Sequence, residues 1–410
     1  MKIPHLALLT LFLAALPALA QAPPIDPELA HRLETLTLEL EKVKGQVTDL
    51  QRQKPAPSEG PSATVIGGYG EVNFKAFTQG DRSRNEADVR RFVLLVTHRF
   101  DDKTRLVTEL EVEHAVSSAG DKGEVEVEQA YLEHQLNGSW GLRGGLFLVP
   151  AGLLNEHHEP TAFYGVERNF VETAIIPSTW REGGLQVYAT FENGLTLQAG
   201  IATGFNLGKW DAASTEGREA PLASVHQELS IAKSHDGSYF GALNWRGMPG
   251  LLVGGSFFKG GASQAQAGIP AMTVSLWDLH ARWTPGAWDL SALYTAGSIS
   301  NTSAFNTTLV GQSTLVPQRF LGWYGQAAYH LWSSGSYALT PFVRFESFNT
   351  AASFASLGEG LTPAEAPNQG VWTVGANFNL AAQVVIKADL QRFHQERDQN
   401  RVNLGIGWSF

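Results

Sequence analysis

The sequence predicts an all-β protein, a transmembrane antiparallel β-barrel of about 16 strands that follows a short N-terminal coiled-coil helix. Beyond Val65, apolar and polar residues alternate in segments of about 9 to 13 residues, the length that a tilted strand needs to cross a membrane. Short and long connections alternate between these segments. The last ten residues also alternate strictly and provide a strand that can close a barrel.

Residues 1–20 have the three parts of a secretory signal peptide. Lys2 provides the basic start, residues 6–16 are apolar, and small residues at 18–20 form a cleavage site before Gln21. This apolar run is too short to span a membrane as a helix, and no later run is long enough. The sequence therefore predicts export from the cytoplasm.

The composition narrows the classes of protein further. The chain has no cysteine, which excludes a lipidated N-terminal cysteine, disulfides and cysteine-ligated metals. Its net charge of −10 is unfavourable for binding nucleic acid. The 42 glycines and the 10% aromatic residues agree with a membrane protein built from alternating strands.

Residues 25–52 predict a coiled-coil helix on the periplasmic side. Asp26 and Pro27 are suited to a helix start, and residues 53–63 form a proline-rich linker. The apolar positions follow a heptad, with Leu33, Leu40 and Val47 at a and Leu29, Leu36, Val43 and Leu50 at d. An amphipathic helix on a globular core is the alternative, but no helical segment follows for it to pack against. About three heptads would associate weakly by themselves.

Residues 64–410 are predicted to form the barrel. Among the clearest strands is the one in which Val384, Ile386, Ala388 and Leu390 face away from Lys387, Asp389 and Gln391. Near Gln129 the alternation breaks, so that either a β-bulge lies there or the assumed register is wrong. Aromatic residues near strand ends, namely Trp323, Tyr329, Trp332 and Trp408, are suited to the membrane interfaces.

The order of the connections predicts which end of the barrel is which. The seven short ones lie at 101–103, 137–139, 192–194, 248–250, 284–286, 333–335 and 381–382. The eight long ones lie near 78–88, 117–123, 150–180, 204–237, 260–272, 298–318, 349–369 and 395–400. An even-stranded outer-membrane barrel has tight periplasmic turns and long external loops, whereas a soluble sandwich has no reason to keep its long loops at one end.

The final strand carries a second indication of location. Its outward face ends in Trp408 and Phe410. This arrangement resembles the terminal strand of bacterial outer-membrane barrels, which implies that Trp408 and Phe410 are the signal for the barrel assembly machinery. The sequence therefore predicts the outer membrane of a Gram-negative-type bacterium, an ordinary soluble strand being the alternative.

Three stretches around the third long connection resemble a known family. They are residues 143–150 (RGGLFLVP), 167–169 (ERN) and 177–185 (PSTWREGGL), and they look like porins of the phosphate-selective O/P type. The resemblance implies a sixteen-stranded barrel, a homotrimer and a third loop that folds inward to narrow the pore. The arginine and lysine array that binds anions in that family cannot be matched position by position, so no substrate is carried over.

Candidate pore residues follow from the loop and from strand parity. The constriction is predicted to contain Glu156, His157, Glu159, Glu167, Arg168, Glu172, Arg181 and Glu182. The pore wall is predicted to contain Glu109, Glu111, Glu113, Arg344, Glu346, Lys387 and Asp389. Acidic and basic side chains are mixed, which predicts weak ion selectivity that leans toward cations.

No metal site, cofactor or catalysis is predicted. His157 and His158 are adjacent and do not share a face, and no third spaced ligand is evident. No nucleophile motif supports an outer-membrane hydrolase. About forty residues between the signal and the barrel are too few for the plug domain of a TonB-linked transporter.

The predicted function is a water-filled channel for passive diffusion of ions and small hydrophilic solutes. One alternative is a phosphate- or anion-selective porin. A second is a structural envelope anchor that presents a periplasmic coiled coil. Single-channel conductance distinguishes the anchor from the porins.

Overall fold

A computed structural model describes residues 63–116 and 123–410. The predicted signal peptide, coiled-coil helix and nearly all of the predicted linker lie outside the described residues. The first strand begins at Ala63, the last residue of that linker. No helix in the described ranges is long and apolar enough to cross a membrane.

The described chain is built from β-strands. The first eight are β1 (Ala63–Phe77), β2 (Glu86–Arg99), β3 (Thr104–Glu113), β4 (Glu124–Gln135), β5 (Trp140–Leu148), β6 (Arg181–Thr190), β7 (Leu195–Ala202) and β8 (Ser238–Met248). The others are β9 (Leu251–Gly261), β10 (Thr273–Trp283), β11 (Trp288–Ile299), β12 (Arg319–Tyr329), β13 (Trp332–Ser334), β14 (Tyr337–Ser353), β15 (Gln369–Ala381), β16 (Val384–Phe393) and β17 (Arg401–Ser409). The three-residue β13 continues the line of β12 beside β14, so the wall has sixteen strand positions.

Every strand pairs antiparallel with its neighbours, and the last strand closes the sheet. β17 pairs with β1 from Tyr69 opposite Ser409 to Phe77 opposite Arg401. Beyond the paired strands, Phe410 and Gly68 exchange backbone hydrogen bonds of 2.9 and 3.0 Å. A closed barrel leaves no unpaired edge, so the prediction of an antiparallel barrel of about sixteen strands is confirmed.

Tight turns join the strands at one end and long connections join them at the other. The turns lie within about two residues of the predicted positions. Met248 still belongs to β8, Ser333 and Ser334 belong to β13, and Ala381 belongs to β15, so the last turn consists of Ala382 and Gln383. The long connections contain short helices only. These are α1 (Glu216–Glu219) and α2 (Thr302–Asn306), 3₁₀ turns at Arg82–Arg84, Leu207–Lys209, Ala223–Val225, Thr307–Leu309 and Arg397–Gln399, and one π-helical turn at Val171–Ile175.

Two β-bulges interrupt regular strand pairing among β1–β4, one between β3 and β4 and one between β1 and β2. On β4, Gln129 pairs with Glu109 and Val127 with Leu110, which leaves Glu128 as the extra residue. This bulge accounts for the broken alternation near Gln129. On β2, Arg90 is the extra residue between the paired Arg91 and Val89. A bulge places two consecutive side chains on the same face, and both bulges add polar groups to the interior.

The outer and inner faces differ as a membrane barrel requires. Large apolar side chains such as Phe92, Leu110, Trp372, Val374 and Leu404 are exposed on the outside. In water such a surface would drive aggregation, whereas lipid accepts it. Aromatic residues near the short turns include Trp140, Trp288, Tyr329, Trp332 and Tyr337.

At the end with the long loops, one side of the interior is filled by an apolar cluster. Inward residues of β5 and β8–β12, such as Phe147, Phe240 and Phe320, pack with loop residues such as Trp180 and Phe205. Burying aromatic side chains of this size stabilises the long loops against the wall. The polar part of the interior therefore lies mainly along β14–β17 and β1–β4.

Candidate functional site

The connection between β5 and β6, residues 149–180, lies inside the barrel and is called the inner loop below. Its backbone donates hydrogen bonds to inward carboxylates on separate parts of the wall. The Gly152 N–H donates to Asp278 on β10 at 3.1 Å and the Val166 N–H to Asp389 on β16 at 2.7 Å. The Phe170 N–H donates to Glu346 on β14 at 2.6 Å. The inner loop thus reaches across the lumen.

Glu172 ties the two ends of the inner loop together. Its carboxylate accepts hydrogen bonds from the backbone N–H groups of Leu153 at 2.6 Å and Leu154 at 2.8 Å, and from the Tyr324 hydroxyl on β12 at 2.9 Å. Asn169 donates a fourth bond at 2.8 Å. Burial raises the pKa of Glu172, and the hydrogen bonds oppose that shift.

Gly152 is required where the loop passes this carboxylate. Its φ is +69°, and a Cβ there would lie 2.3 Å from Oε1 of Glu172. A residue with a side chain would be strained in this conformation and would displace the carboxylate. The glycine therefore allows the close approach on which the Glu172 anchor depends.

Glu167 joins the inner loop to the strands that close the barrel. Its two oxygens lie 2.9 Å from the ammonium of Lys75 on β1 and 2.5 Å from the guanidinium of Arg401 on β17. Burial pushes the pKa of Glu167 upward, but the two cations outweigh it and the net pKa is lowered. The carboxylate is therefore charged at neutral pH and holds the loop against the seam.

Arg168, the next residue, has partners within the inner loop itself. Its guanidinium donates to the Ser178 hydroxyl and, at 3.1 Å, to the His158 carbonyl oxygen. Burial, together with nearby Arg91, lowers the pKa of Arg168. Among the described residues no carboxylate lies within 4 Å of it, so its direct hydrogen bonds go to neutral acceptors, with Glu71 and Glu128 farther away.

The wall formed by β1–β4 carries a dense group of charges. Arg91 lies between Glu71 at 2.9 Å and Glu111 at 3.0 Å, and all three side chains are buried. Arg181, at the start of β6, pairs with Glu126 and lies 2.9 Å from Glu228. These inward charges offset one another at short range, which is how a buried charge is tolerated.

The other residues predicted for the constriction occupy separate places. Glu156 accepts a bond from Gln198 at 2.8 Å, and His157 is exposed. Glu159 is half-buried, and Glu182 accepts a bond of 3.1 Å from the Trp180 indole. Together with Glu167, Glu172 and Arg181 they are spread over several parts of the wall and do not form one ring.

The predicted wall residues lie inside the barrel. Glu109, Glu111, Arg344, Glu346, Lys387 and Asp389 are buried, and Glu113 is half-buried. Arg344 and Glu346 form an ion pair of 2.8 Å, and the Lys387 ammonium lies 3.6 Å above the ring of Phe163 in the inner loop. The alternation of residues along the strands thus predicted that these side chains point inward, but it did not predict their partners.

Two cavities lie between the inner loop and the β1–β2 wall. One of about 200 Å³ is lined by residues that include Glu71, Arg91 and Arg168, and one of about 450 Å³ by residues that include Lys75 and His114. They share Arg90 and Glu167, so the two cavities are neighbours. The basic residues that line them are Lys75, Arg90, Arg91 and Arg168, and the acidic residues are Glu71, Glu86, Asp88 and Glu167.

Several of these residues were not predicted from the sequence. Glu71 and Lys75 could have been found, because they alternate with the outward Val72 and Phe74 on β1. Arg90 and Arg91 could not, because the bulge on β2 turns both of them inward. Glu128 is hidden for the same reason on β4.

The fold and the polar interior crossed by the inner loop define the class: a porin-like sixteen-stranded barrel of the outer-membrane type. No family model matches the chain. A protein of Aquifex aeolicus (strain VF5), described only as uncharacterized, is 28% identical over 389 residues, which cover 90% of this chain and 87% of that protein.

Solved porin structures share the architecture of this chain. OmpF of Salmonella typhi in complex with daunomycin has a TM-score of 0.58 at 12% identity, covering 85% of this chain and 98% of that one. The anion-selective porin from Comamonas acidovorans has a TM-score of 0.50 at 13% identity, covering 85% of this chain and 100% of that one. At such identities the likeness describes the fold alone.

Proposed function

We propose that this protein is an outer-membrane porin for the passive diffusion of ions and small hydrophilic solutes, with the inner loop as its constriction. The observation that carries the proposal is a closed barrel whose charged interior is crossed by a loop fixed to several strands. The hydrogen bonds of the inner loop to β10, β14 and β16 would keep the passage at a fixed width. No chemical step is expected in this site.

The pairing of the charges supports weak ion selectivity. Of the four basic residues that line the cavities, Lys75 lies 2.9 Å from Glu167, Arg91 lies 2.9 Å from Glu71, and Arg90 lies 3.4 Å from Glu113. A cation with a carboxylate at this distance attracts a passing anion weakly, because the fields of the two charges largely cancel. Among the buried side chains of the described strands, carboxylates outnumber basic groups, which favours the passage of cations.

A phosphate- or anion-selective porin is the second candidate, as the resemblance to the O/P family implies. Arg168 favours it, because this residue lines a cavity and has no carboxylate in direct contact among the described residues. A dedicated anion site would need several such basic side chains placed one after another along the pore. The weakly selective porin therefore remains the preferred proposal.

The zero-current potential across a planar bilayer under a KCl gradient tests the selectivity. We expect a small zero-current potential whose sign shows that K⁺ permeates more readily than Cl⁻. In Glu167→Gln this potential should shift toward preference for Cl⁻. Glu192→Gln, an exposed change in a short turn, is the matched control and should leave the potential unchanged. A strongly anion-selective potential, with chloride current blocked by added phosphate, would establish the second candidate.

Assembly and location form the rest of the proposal. We propose a homotrimer, with the helix at residues 25–52 in the periplasm and the linker at 53–63 leading into the barrel. Trp408 and Phe410 would be read by the barrel assembly machinery. The alternative of a structural envelope anchor predicts that the purified barrel gives no conductance steps in a bilayer.

A further inference from the structure

Three side chains that are far apart in the sequence meet beneath the inner loop. Nε2 of His158 in the inner loop lies 3.7 Å from Oε1 of Glu109 on β3 and 3.8 Å from Oε2 of Glu128 on β4. All three are buried, with 4%, 2% and 0% of their surfaces exposed. One nitrogen and two carboxylate oxygens thus face a common point in the interior.

Among the described residues, Glu128 receives no hydrogen bond from an N–H or hydroxyl donor, and its close polar neighbours include the carboxyl groups of Glu111 and Glu126. Neither of its carboxylate oxygens accepts a hydrogen bond within residues 63–116 and 123–410. The nearest guanidinium nitrogen that pairs with it, Nη1 of Arg181, is 3.9 Å away. A fully buried carboxylate without a direct partner is costly, so it requires either a proton or a bound cation.

The other two donors are already held in place by neighbouring groups. Nδ1 of His158 lies 2.8 Å from the carbonyl oxygen of Asn155, which can only accept, so Nδ1 carries the proton and the lone pair of the neutral ring is on Nε2. Oε2 of Glu109 accepts a 2.5 Å hydrogen bond from the Gln129 amide. Metal-binding histidines and carboxylates are oriented by outer partners of this kind.

We propose that Glu109, Glu128 and His158 bind a divalent transition-metal ion of the Zn²⁺ type, with water completing the coordination. Tetrahedral zinc with ligands at about 2.0–2.2 Å separates its donors by about 3.4 Å. The two N···O distances of 3.7 and 3.8 Å are close to this value, and all three donor atoms lie within 4.8 Å of one another, so the side chains would close in on the ion by small rotations. Such an ion would neutralise the charge of Glu128. It would also cross-link the inner loop to the β3–β4 wall.

Two other interpretations of the cluster give different chemistry. The Tyr69 hydroxyl donates to Oε1 of Glu109 at 3.0 Å and lies 2.8 Å from Nε2, so a doubly protonated His158 would donate to Tyr69. That arrangement places no donor on Glu128, because 3.7 and 3.8 Å are longer than a direct hydrogen bond from Nε2 to either carboxylate. Glu128 also lies close to Glu111 and Glu126, a group of oxygen donors alone that would favour Ca²⁺ or Mg²⁺. The nitrogen donor and the free oxygens of Glu128 favour the site that contains His158.

The cluster lies close to a cavity of the interior. Arg91 and Arg168 line the cavity of about 200 Å³, and Arg168 also donates to the carbonyl oxygen of His158 itself. Through this hydrogen bond, a residue of the cavity lining contacts the residue that provides the nitrogen ligand. Because the inner loop provides one ligand and the barrel provides two, loss of the ion should loosen the loop without opening the barrel.

The test uses the full chain, purified in detergent and treated with a chelator, and then titrated with ZnCl₂ by calorimetry. We expect one Zn²⁺ per chain and a higher resistance of the inner loop to proteolysis when it is bound. His158→Gln and Glu128→Gln should each weaken binding at least about tenfold. His157→Gln alters the exposed neighbouring imidazole and is the matched control, with binding unchanged.

The variants separate the three interpretations. Failure of the chelated wild-type protein to bind Zn²⁺ would overturn the proposal, as would an equal loss of binding in His157→Gln and His158→Gln. Tighter binding of Ca²⁺ than of Zn²⁺ would overturn it in favour of the oxygen-only group. If Glu128→Gln does not fold, His158→Gln still decides the matter, because it leaves the barrel strands unchanged.

Discussion

Replacing Glu172 by alanine should release the inner loop while the barrel stays folded. The carboxylate of Glu172 accepts four hydrogen bonds, two of them from backbone N–H groups of Leu153 and Leu154. Alanine leaves these two N–H groups without an acceptor in the interior. The strands keep their own ladders, so the change should act on the loop and not on barrel closure.

The magnitude follows from those hydrogen bonds. An unsatisfied buried donor costs about 1–3 kcal/mol, and the raised pKa of Glu172 shows that burial of its charge already opposes the anchor. We therefore expect the attached state of the loop to lose about 2–4 kcal/mol. That is a shift of roughly 30- to 1,000-fold in the equilibrium for loop detachment. Glu172→Gln keeps one acceptor oxygen and should lose about 1–2 kcal/mol.

Single-channel recording and limited proteolysis of the same preparations measure this effect. Glu172→Ala should give noisier open-channel current, more sub-conductance states and faster cleavage within residues 149–180. Glu159→Gln is the matched control, because Glu159 lies in the same loop and its side chain accepts no hydrogen bond in the described part of the chain. Current noise and cleavage rates equal to those of the wild type in Glu172→Ala would refute the anchoring role.

Three further predictions concern the seam, the helix and the last strand. The pKa of Glu167 is lowered, so its ion pairs contribute their full stability above about pH 4.3, the pKa in the unfolded chain. This stability is lost as the pH falls through the pKa of the folded protein, and the current noise of wild-type channels should rise in that range. Glu167→Gln should already be noisy at pH 7. If the noise of wild-type channels does not change down to pH 3, this assignment is wrong. Replacing Leu36 and Leu40 with aspartate should lower the temperature at which the oligomer dissociates on native gels, and unchanged dissociation would exclude a role of the helix in assembly. Phe410→Ser should reduce the amount of heat-modifiable, membrane-inserted barrel, and normal amounts would contradict the assembly signal.

Local patterns predicted the barrel because they reflect one simple constraint. In a strand between lipid and water, side chains must alternate, and the sequence between Trp372 and Leu390 does so over two consecutive strands. The alternation of turns and loops then gave the strand order, since antiparallel neighbours need only a tight turn. The inward orientation of the Glu109, Arg344 and Lys387 side chains followed from the same alternation.

The interior site depends on contacts that local patterns do not encode. The bulges at Arg90 and Glu128 break the two-residue period, so parity fails at the positions that concentrate charge on the β1–β4 wall. His158 was set aside as a ligand because no spaced partner follows it in the sequence. Glu109 and Glu128 lie side by side on the paired strands β3 and β4, and the inward path of the loop brings His158 within 4 Å of both.

By itself, the sequence determined the fold class, the approximate strand positions, the turn and loop ends and the faces of most strands, because each depends on residues close together in the chain. Only the tertiary structure decided the path of the inner loop, the partners of Glu167 and Glu172, and the meeting of His158 with two wall carboxylates. These depend on register, bulges and closure, which bring together residues from 18 positions apart, as Glu172 and Leu154, to 234 positions apart, as Glu167 and Arg401. The physical reason is that the energy of a buried ion pair depends on the distance between its charges in space and not on their separation along the chain.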